Sequence, residues 1–230
     1  MKNTNKLPNP LKAVFFDMDG VLYDSMKNHA STWVESFKLV GIEFPAYDAY
    51  LNEGRTGPGT IEIVFKQYGS REATQEDIEN IYNHKTRLMQ EAPEALILPK
   101  MQEVVKQTMA AGIKVMIVTG SKQPSLIKRL QQDFGIADSA IVSGFDVQMG
   151  KPHPEPYLMA LEKTGCKKEE ALVIENAPLG VRSAHAAGII TLAVNTGILH
   201  DKVLSDEGAF KVFSSTSALF EQWPSIISYK

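Results

Sequence analysis

From Pro99 onward the chain alternates short apolar runs with amphipathic stretches, and few architectures can accommodate that alternation. Residues 101–111 carry a helical pattern that closes at Gly112, and 113–118 form an apolar run of strand length. Helical stretches at 124–134, 154–164 and 178–187 then alternate with strand-like runs at 140–142, 171–174 and 189–194. One more short strand and a final helix complete the pattern. An apolar run at 11–16, rich in β-formers, adds a strand near the start. Runs that are apolar throughout belong to strands buried on both faces, and helices between them are the crossovers that parallel strands need. The expected fold class is therefore α/β, a parallel sheet with helices on both sides.

Residues 24–93 have a different texture. Trp33, Phe37 and Val40 recur at helical spacing, as do Ile61, Val64, Phe65 and Tyr68, and again Ile78, Ile81, Tyr82 and Met89. Breakers at 41–45, 53–59 and 69–70 separate these stripes. An inserted helical bundle is expected, which divides the chain into a core of residues 1–23 and 94–230 and an insert of 24–93. With 230 residues, 43% of them apolar, both parts can bury a core without staples.

Polar motifs stand where three of the strands end. Asp17-Met18-Asp19-Gly20 follows the first run, Thr119-Gly120-Ser121 follows 113–118, and Glu175-Asn176 follows 171–174. Ligands of open α/β sheets bind outside the carboxyl ends of the strands, so these residues should share one rim. A carboxylate at that rim can act as a nucleophile and form an aspartyl-phosphate, which makes Asp17 a candidate for that role. Asp19 can protonate a leaving oxygen and later activate water. Gly20 permits the tight turn after them. Thr119, Gly120 and Ser121 can hold phosphate oxygens with a hydroxyl and backbone amides. Lys151, in the proline-stiffened run Gly150-Lys151-Pro152-His153-Pro154, can be aimed at a phosphate. Asp17, the Asp19 carbonyl and Asn176 offer oxygen ligands to Mg2+. Each piece also has a plain structural reading: an Asp-rich turn, a Gly-Ser turn, a surface lysine, a polar helix start. His153, flanked by prolines, reads as structural.

Taken together and in order, the four pieces resemble the haloacid dehalogenase superfamily, in its β-phosphoglucomutase-like branch with a helical cap. The resemblance covers the chain from Leu11. It implies a Rossmann-like core under a closing cap. Asp17 would be the nucleophile and Asp19 the general acid and base, while Thr119 and Lys151 would bind phosphate. Glu175 would orient Lys151 or a metal-bound water. Position 176 departs from the family pattern, which has aspartate there, and this removes one negative charge. His29 and Lys85 match cap positions that contact substrate. Gly57 falls where the mutases carry an arginine for a distal phosphate, and Arg55 stands two residues before it. The loop Glu53-Gly54-Arg55-Thr56-Gly57, taken with Glu175-Asn176-Ala177-Pro178-Leu179-Gly180, looks like a member of the branch that hydrolyses inorganic pyrophosphate. An acidic Glu53 facing a phosphate pocket fits a metal-loaded substrate.

The expected function is a Mg2+-dependent phosphohydrolase acting on a small phosphorylated substrate, with inorganic pyrophosphate the first choice. The alternatives are a β-phosphoglucomutase and a phosphate-binding module impaired by Asn176. The net charge of −3 argues against nucleic-acid and membrane partners. A single cysteine, Cys166, permits no internal disulfide and fits a reducing compartment. With no apolar leader or membrane span in view, a cytoplasmic protein is expected, and it is expected to be a monomer because the apolar stripes of 24–93 read as that insert's own core.

Overall fold

The computed structural model describes residues 6–122 and 124–228, with backbone alone for 124–127. Six parallel strands form one sheet: β1 (Ala13–Phe16), β2 (Lys114–Val118), β3 (Ile141–Val142), β4 (Ala171–Glu175), β5 (Ile190–Val194) and β6 (Lys211–Phe213). Their order is β3-β2-β1-β4-β5-β6, so the chain reverses its direction of winding between β1 and β4. That switch point is where an open α/β sheet opens a crevice.

Side chains alternate across the sheet and supply two cores. Val14 and Phe16 join Leu172, Ile174, Leu192 and Val194 on one face. They lie under α5 (Met101–Ala110), α6 (Pro124–Phe134) and α10 (Thr216–Ile227). Ala13 and Phe15 join Met116, Val118 and Val173 on the other, under α7 (Glu155–Thr164) and α8 (Pro178–Ala186). Burial on both faces explains why these strands read as unbroken apolar runs.

Four helices lie between β1 and α5: α1 (Met26–Lys38), α2 (Ala46–Leu51), α3 (Gly57–Tyr68) and α4 (Gln75–Glu91). They have their own apolar cluster, in which Trp33 stacks on Phe37 at 5.6 Å and Phe44 meets Phe37 edge-on at 5.0 Å. Thr56 caps α3 by accepting from the Gly59 amide, and Thr74 with Asp77 forms a capping box on α4. Leu199, from the loop after β5, completes this cluster from the sheet side. The two segments that join the helices to the sheet run side by side. The Asp24 amide donates to the Leu96 carbonyl at 2.8 Å, and the Leu98 amide to the Leu22 carbonyl at 2.9 Å.

The structure adds two short helices that the sequence reading left as irregular, α2 and α9 (Asp201–Asp206). It also shortens the 140–142 strand, because Ala140 ends a 3-10 turn. Among the described residues no helix is long and apolar enough to cross a membrane.

Candidate active site

Asp17 is the first residue beyond β1, and its amide still donates to the Ile174 carbonyl of β4 at 3.0 Å. Its carboxyl is thereby fixed at the switch point and is 7% exposed. Lys151, 2% exposed, reaches it from the loop before α7. The ammonium makes three contacts: Asp17 Oδ1 at 2.5 Å, Glu175 Oε1 at 2.7 Å and the Val118 carbonyl at 3.0 Å. An ammonium has three protons to give, and these three acceptors take them.

Glu175 closes β4 and is fully buried. Its Oε1 also accepts from the Tyr157 hydroxyl at 2.8 Å. Its Oε2 accepts from the Asn176 amide at 2.9 Å and the Ala177 amide at 3.1 Å, at the start of α8. Gly180 lies so close that a Cβ there would stand 1.7 Å from Glu175 Oε1. Burial opposes the charge on Lys151, but the Asp17 and Glu175 carboxyls outweigh it and hold the ammonium above the ordinary lysine range. One cation faces two carboxyls here. Burial drives the Asp17 carboxyl well up, against the pull of Lys151 and with Glu175 and Asp19 adding to the rise.

Asp19 lies two residues on, and its Oδ1 accepts from the Ser25 hydroxyl at 2.6 Å. His29 of α1 places Nε2 3.4 Å from the same oxygen. Burial pushes the Asp19 carboxyl up, but His29, Ser25 and Lys85 outweigh it and bring it to about 2. His29 Nδ1 lies 3.8 Å from Glu53 Oε2, so one imidazole spans a core carboxylate and a carboxylate of the helical segment. Lys85 of α4 is 7% exposed, with its ammonium 5.4 Å from the Trp33 ring centre. Burial lowers its affinity for the proton, and Glu53 and Asp19 partly restore it.

Thr119 follows β2, and its hydroxyl accepts from the Ser121 amide at 3.1 Å, which shapes the turn through Gly120. A Cβ on Gly120 would approach the Gly54 carbonyl to 3.5 Å, so the 53–57 loop lies directly over this turn. Gly20 has φ +77°, and a Cβ there would overlap the Asn176 side chain at 1.9 Å. Glycine is required at 20 on both counts.

Among the described residues no trio of His, Cys, Asp and Glu side chains groups to hold a metal. The candidate ligand set is instead the Asp17 carboxylate, the Asp19 carbonyl and the Asn176 amide oxygen. Asn176 Oδ1 is buried and has no hydrogen-bond partner among the described residues. An orphaned buried oxygen is costly, and a hard cation satisfies it. Mg2+, which takes oxygen ligands, would supply that partner.

A cavity of about 620 Å³ joins these groups, lined by Asp17, Asp19, Thr119, Gly120, Ser121, Lys151 and Glu175 from the sheet side and by His29, Glu53 and Lys85 from the helices. Asn176 stands off that lining, beside Gly20. His153 lies outside it as well; its ring nitrogen accepts from the Glu155 amide and its carbonyl from Ser183. Arg55 and Gly57 line the cavity, and a Cβ on Gly57 would lie 2.2 Å from the Tyr82 ring. Sequence reasoning missed Ser25, Tyr82 as the group over Gly57, and Tyr157. The Asp-x-Asp turn leading into α1 was a signal for Ser25. Nothing in the spacing of the 154–164 helix marked Tyr157 as a partner of Glu175.

Known proteins resemble the chain along most of its length. A family model described as "Hydrolase: haloacid dehalogenase-like hydrolase" matches residues 11–188. The chain is 49% identical to a solved structure named "Putative beta-phosphoglucomutase from Bacteroides vulgatus", covering 95% of this chain and 89% of that one, with a TM-score of 0.90. It is 32% identical to an uncharacterized protein of Haemophilus influenzae, over 82% of this chain and 93% of the relative. It is 28% identical to "Putative pyrophosphatase PpaX" of Caldanaerobacter subterraneus, over 86% of this chain and 87% of the relative.

Proposed function

Because the chain belongs to the haloacid dehalogenase-like hydrolase family, we propose that it is a Mg2+-dependent phosphohydrolase that works through Asp17, with inorganic pyrophosphate as its substrate. The observation that carries the reading is the buried Lys151, held by Asp17 and Glu175 at the floor of the cavity. An Asp17 oxygen attacks phosphorus as the bond to the leaving oxygen breaks, and Asp19 gives that oxygen a proton. Water then attacks the aspartyl-phosphate while Asp19 takes its proton, which releases phosphate and restores Asp17. Asp19 rests in its ionised form, suited to the second step. The first step needs the charge of a bound phosphate to lift its proton affinity.

Lys151 and the Thr119-Gly120-Ser121 turn would hold the transferred group, and Glu175 would keep Lys151 in line. Asp17, the Asp19 carbonyl and Asn176 would hold Mg2+, which supplies positive charge to the phosphoryl oxygens when bound. The helices of 24–93 act as a cap that carries His29, Glu53 and Lys85 to the substrate and excludes water.

Two features favour a hydrolase over a mutase. Glu53 is a carboxylate among the cap's cavity-lining groups, suited to a metal-bound diphosphate. Gly57 has no room for a side chain while Tyr82 stays in place, so position 57 itself supplies no cation to a second phosphate, and Arg55 is the loop's cation in the cavity lining. The mutase reading draws its support from the name carried by the 49% identical structure.

Steady-state kinetics with Mg2+ on pyrophosphate and on β-glucose 1-phosphate separate the two. Phosphate release from pyrophosphate with kcat/KM above about 10⁴ M⁻¹s⁻¹, without glucose 6-phosphate, supports the proposal. Glucose 6-phosphate formed without net phosphate release makes the protein a mutase.

A further inference from the structure

Tyr157 is fully buried on α7, six residues beyond Lys151, and no part of the reaction outlined above uses it. Its hydroxyl donates to Glu175 Oε1, the same oxygen that accepts from Lys151. Its ring lies beneath the ammonium, with Lys151 Nζ 5.2 Å from the ring centre. One phenol thus touches both partners of the ion pair next to the nucleophile.

The Glu175 carboxyl has two rotational anchors. Two backbone amides fix Oε2, while Oε1 is held by Lys151 and Tyr157 alone. Lys151 is a flexible four-carbon side chain that also serves Asp17. Tyr157 is the rigid anchor, because its ring is fully buried in the apolar cluster that holds Ala13, Phe15 and Ala184. Without its hydroxyl, Lys151 is the remaining donor to Oε1, which is then free to shift with the lysine within the tether at Oε2.

We propose that Tyr157 is a positioning residue: its hydroxyl pins Glu175 so that Lys151 stays directed at Asp17 through each phosphoryl transfer. The proposal rests on the reading of Asp17 and Lys151 given above. Burial, with Glu175 and Asp17 close by, holds the phenol well above the ordinary tyrosine range, so it remains a donor over any working pH. Proximity of a correctly aimed cation is worth more in the transition state than in substrate binding, since charge spreads over the phosphoryl oxygens as the bond breaks.

Tyr157→Phe keeps the ring and removes the donor. Two measurements on this variant test the proposal, once thermal melting has shown it to be folded. The first is kcat and KM for pyrophosphate with Mg2+. The second is the ¹H–¹⁵N ammonium signal of Lys151 in protein labelled at lysine Nζ, assigned by its loss in Lys151→Arg. The proposal expects kcat to fall about tenfold with KM within twofold, and the ammonium signal to shift or broaden. An unmoved ammonium signal overturns it, because a purely packing role would leave Lys151 in place. A moved signal with kcat within twofold of wild type overturns it equally. A wild-type protein that releases no phosphate would sink the phosphohydrolase reading instead, and the ammonium signal alone would then decide the role of Tyr157.

Discussion

Lys151 Nζ stands 2.5 Å from Asp17 Oδ1, although 134 residues separate them in sequence. The pair is buried, and a second carboxyl, Glu175, shares the same ammonium. Asp17 therefore faces the cavity with its charge partly offset and one oxygen oriented. Asp17→Asn keeps the shape and leaves an amide oxygen to accept from Lys151, so the fold should persist. Turnover of pyrophosphate should fall by about 10³ or more, because an amide is no nucleophile. Circular dichroism and phosphate release check both halves. An active Asp17→Asn protein would remove Asp17 from the nucleophile role.

Gly180 sits in the first turn of α8, where alanine would ordinarily improve the helix by up to about 1 kcal/mol. Here the added Cβ would meet Glu175 Oε1 at 1.7 Å and Cδ at 2.1 Å. The carboxyl must give way, and it is fixed by four donors. Overpacking of this kind costs about 1–3 kcal/mol, so the clash wins over the propensity. Gly180→Ala should melt lower than wild type and lose most of its kcat. A variant that melts higher with full activity would show that Glu175 is free to move without harm.

The Asp19 carboxyl, at about 2 against its ordinary 3.8, ties stability to acid. Its proton affinity is lower in the folded chain than in the unfolded one. The stabilisation is therefore complete above the unfolded value and is lost as pH falls through it toward 2. Asn at position 19 has no such proton to bind. The unfolding free-energy gap between wild type and Asp19→Asn should narrow by about 1 kcal/mol from pH 6 to pH 3. Urea titrations at the two pH values measure it. A gap that does not change would mean that His29 and Ser25 do not hold the charge on Asp19.

The strands and the residues at their carboxyl ends were legible because their signals are local. Phe16 followed by Asp17, Val118 by Thr119 and Ile174 by Glu175 mark where buried backbone meets the crevice. The short helices α2 and α9 were not, because six residues each, following Pro45 and His200, carry too little periodicity. The oxygen set for Mg2+ was named from residue types. That Asn176 stands beside Gly20, off the cavity lining, depends on packing that no spacing encodes. Tyr157 was hidden for the same reason. A tyrosine in an apolar helix stripe reads as core until the carboxyl of a strand 18 residues on is found against its hydroxyl.

Glu53 offers the sharpest test of substrate. Its carboxylate lies 3.8 Å from His29 Nδ1 with only 14% of the side chain exposed, so it is not a solvated loop residue. It also supports the charge of the buried Lys85. For a bare aryl phosphate, one phosphoryl group occupies the sheet side of the cavity, and the leaving group gains little from a carboxylate. For pyrophosphate bound with metal, the second phosphoryl group reaches toward the cap, where Glu53 can face the cation and Lys85 the anion. A hydrogen bond or contact to a charged group is worth about 1.5–3 kcal/mol, which is about tenfold or more in rate. Glu53→Ala should therefore lower kcat/KM for pyrophosphate at least about tenfold more than for p-nitrophenyl phosphate, measured at the same Mg2+ concentration. Equal losses on the two substrates would mean that Glu53 positions the cap rather than the second phosphoryl group.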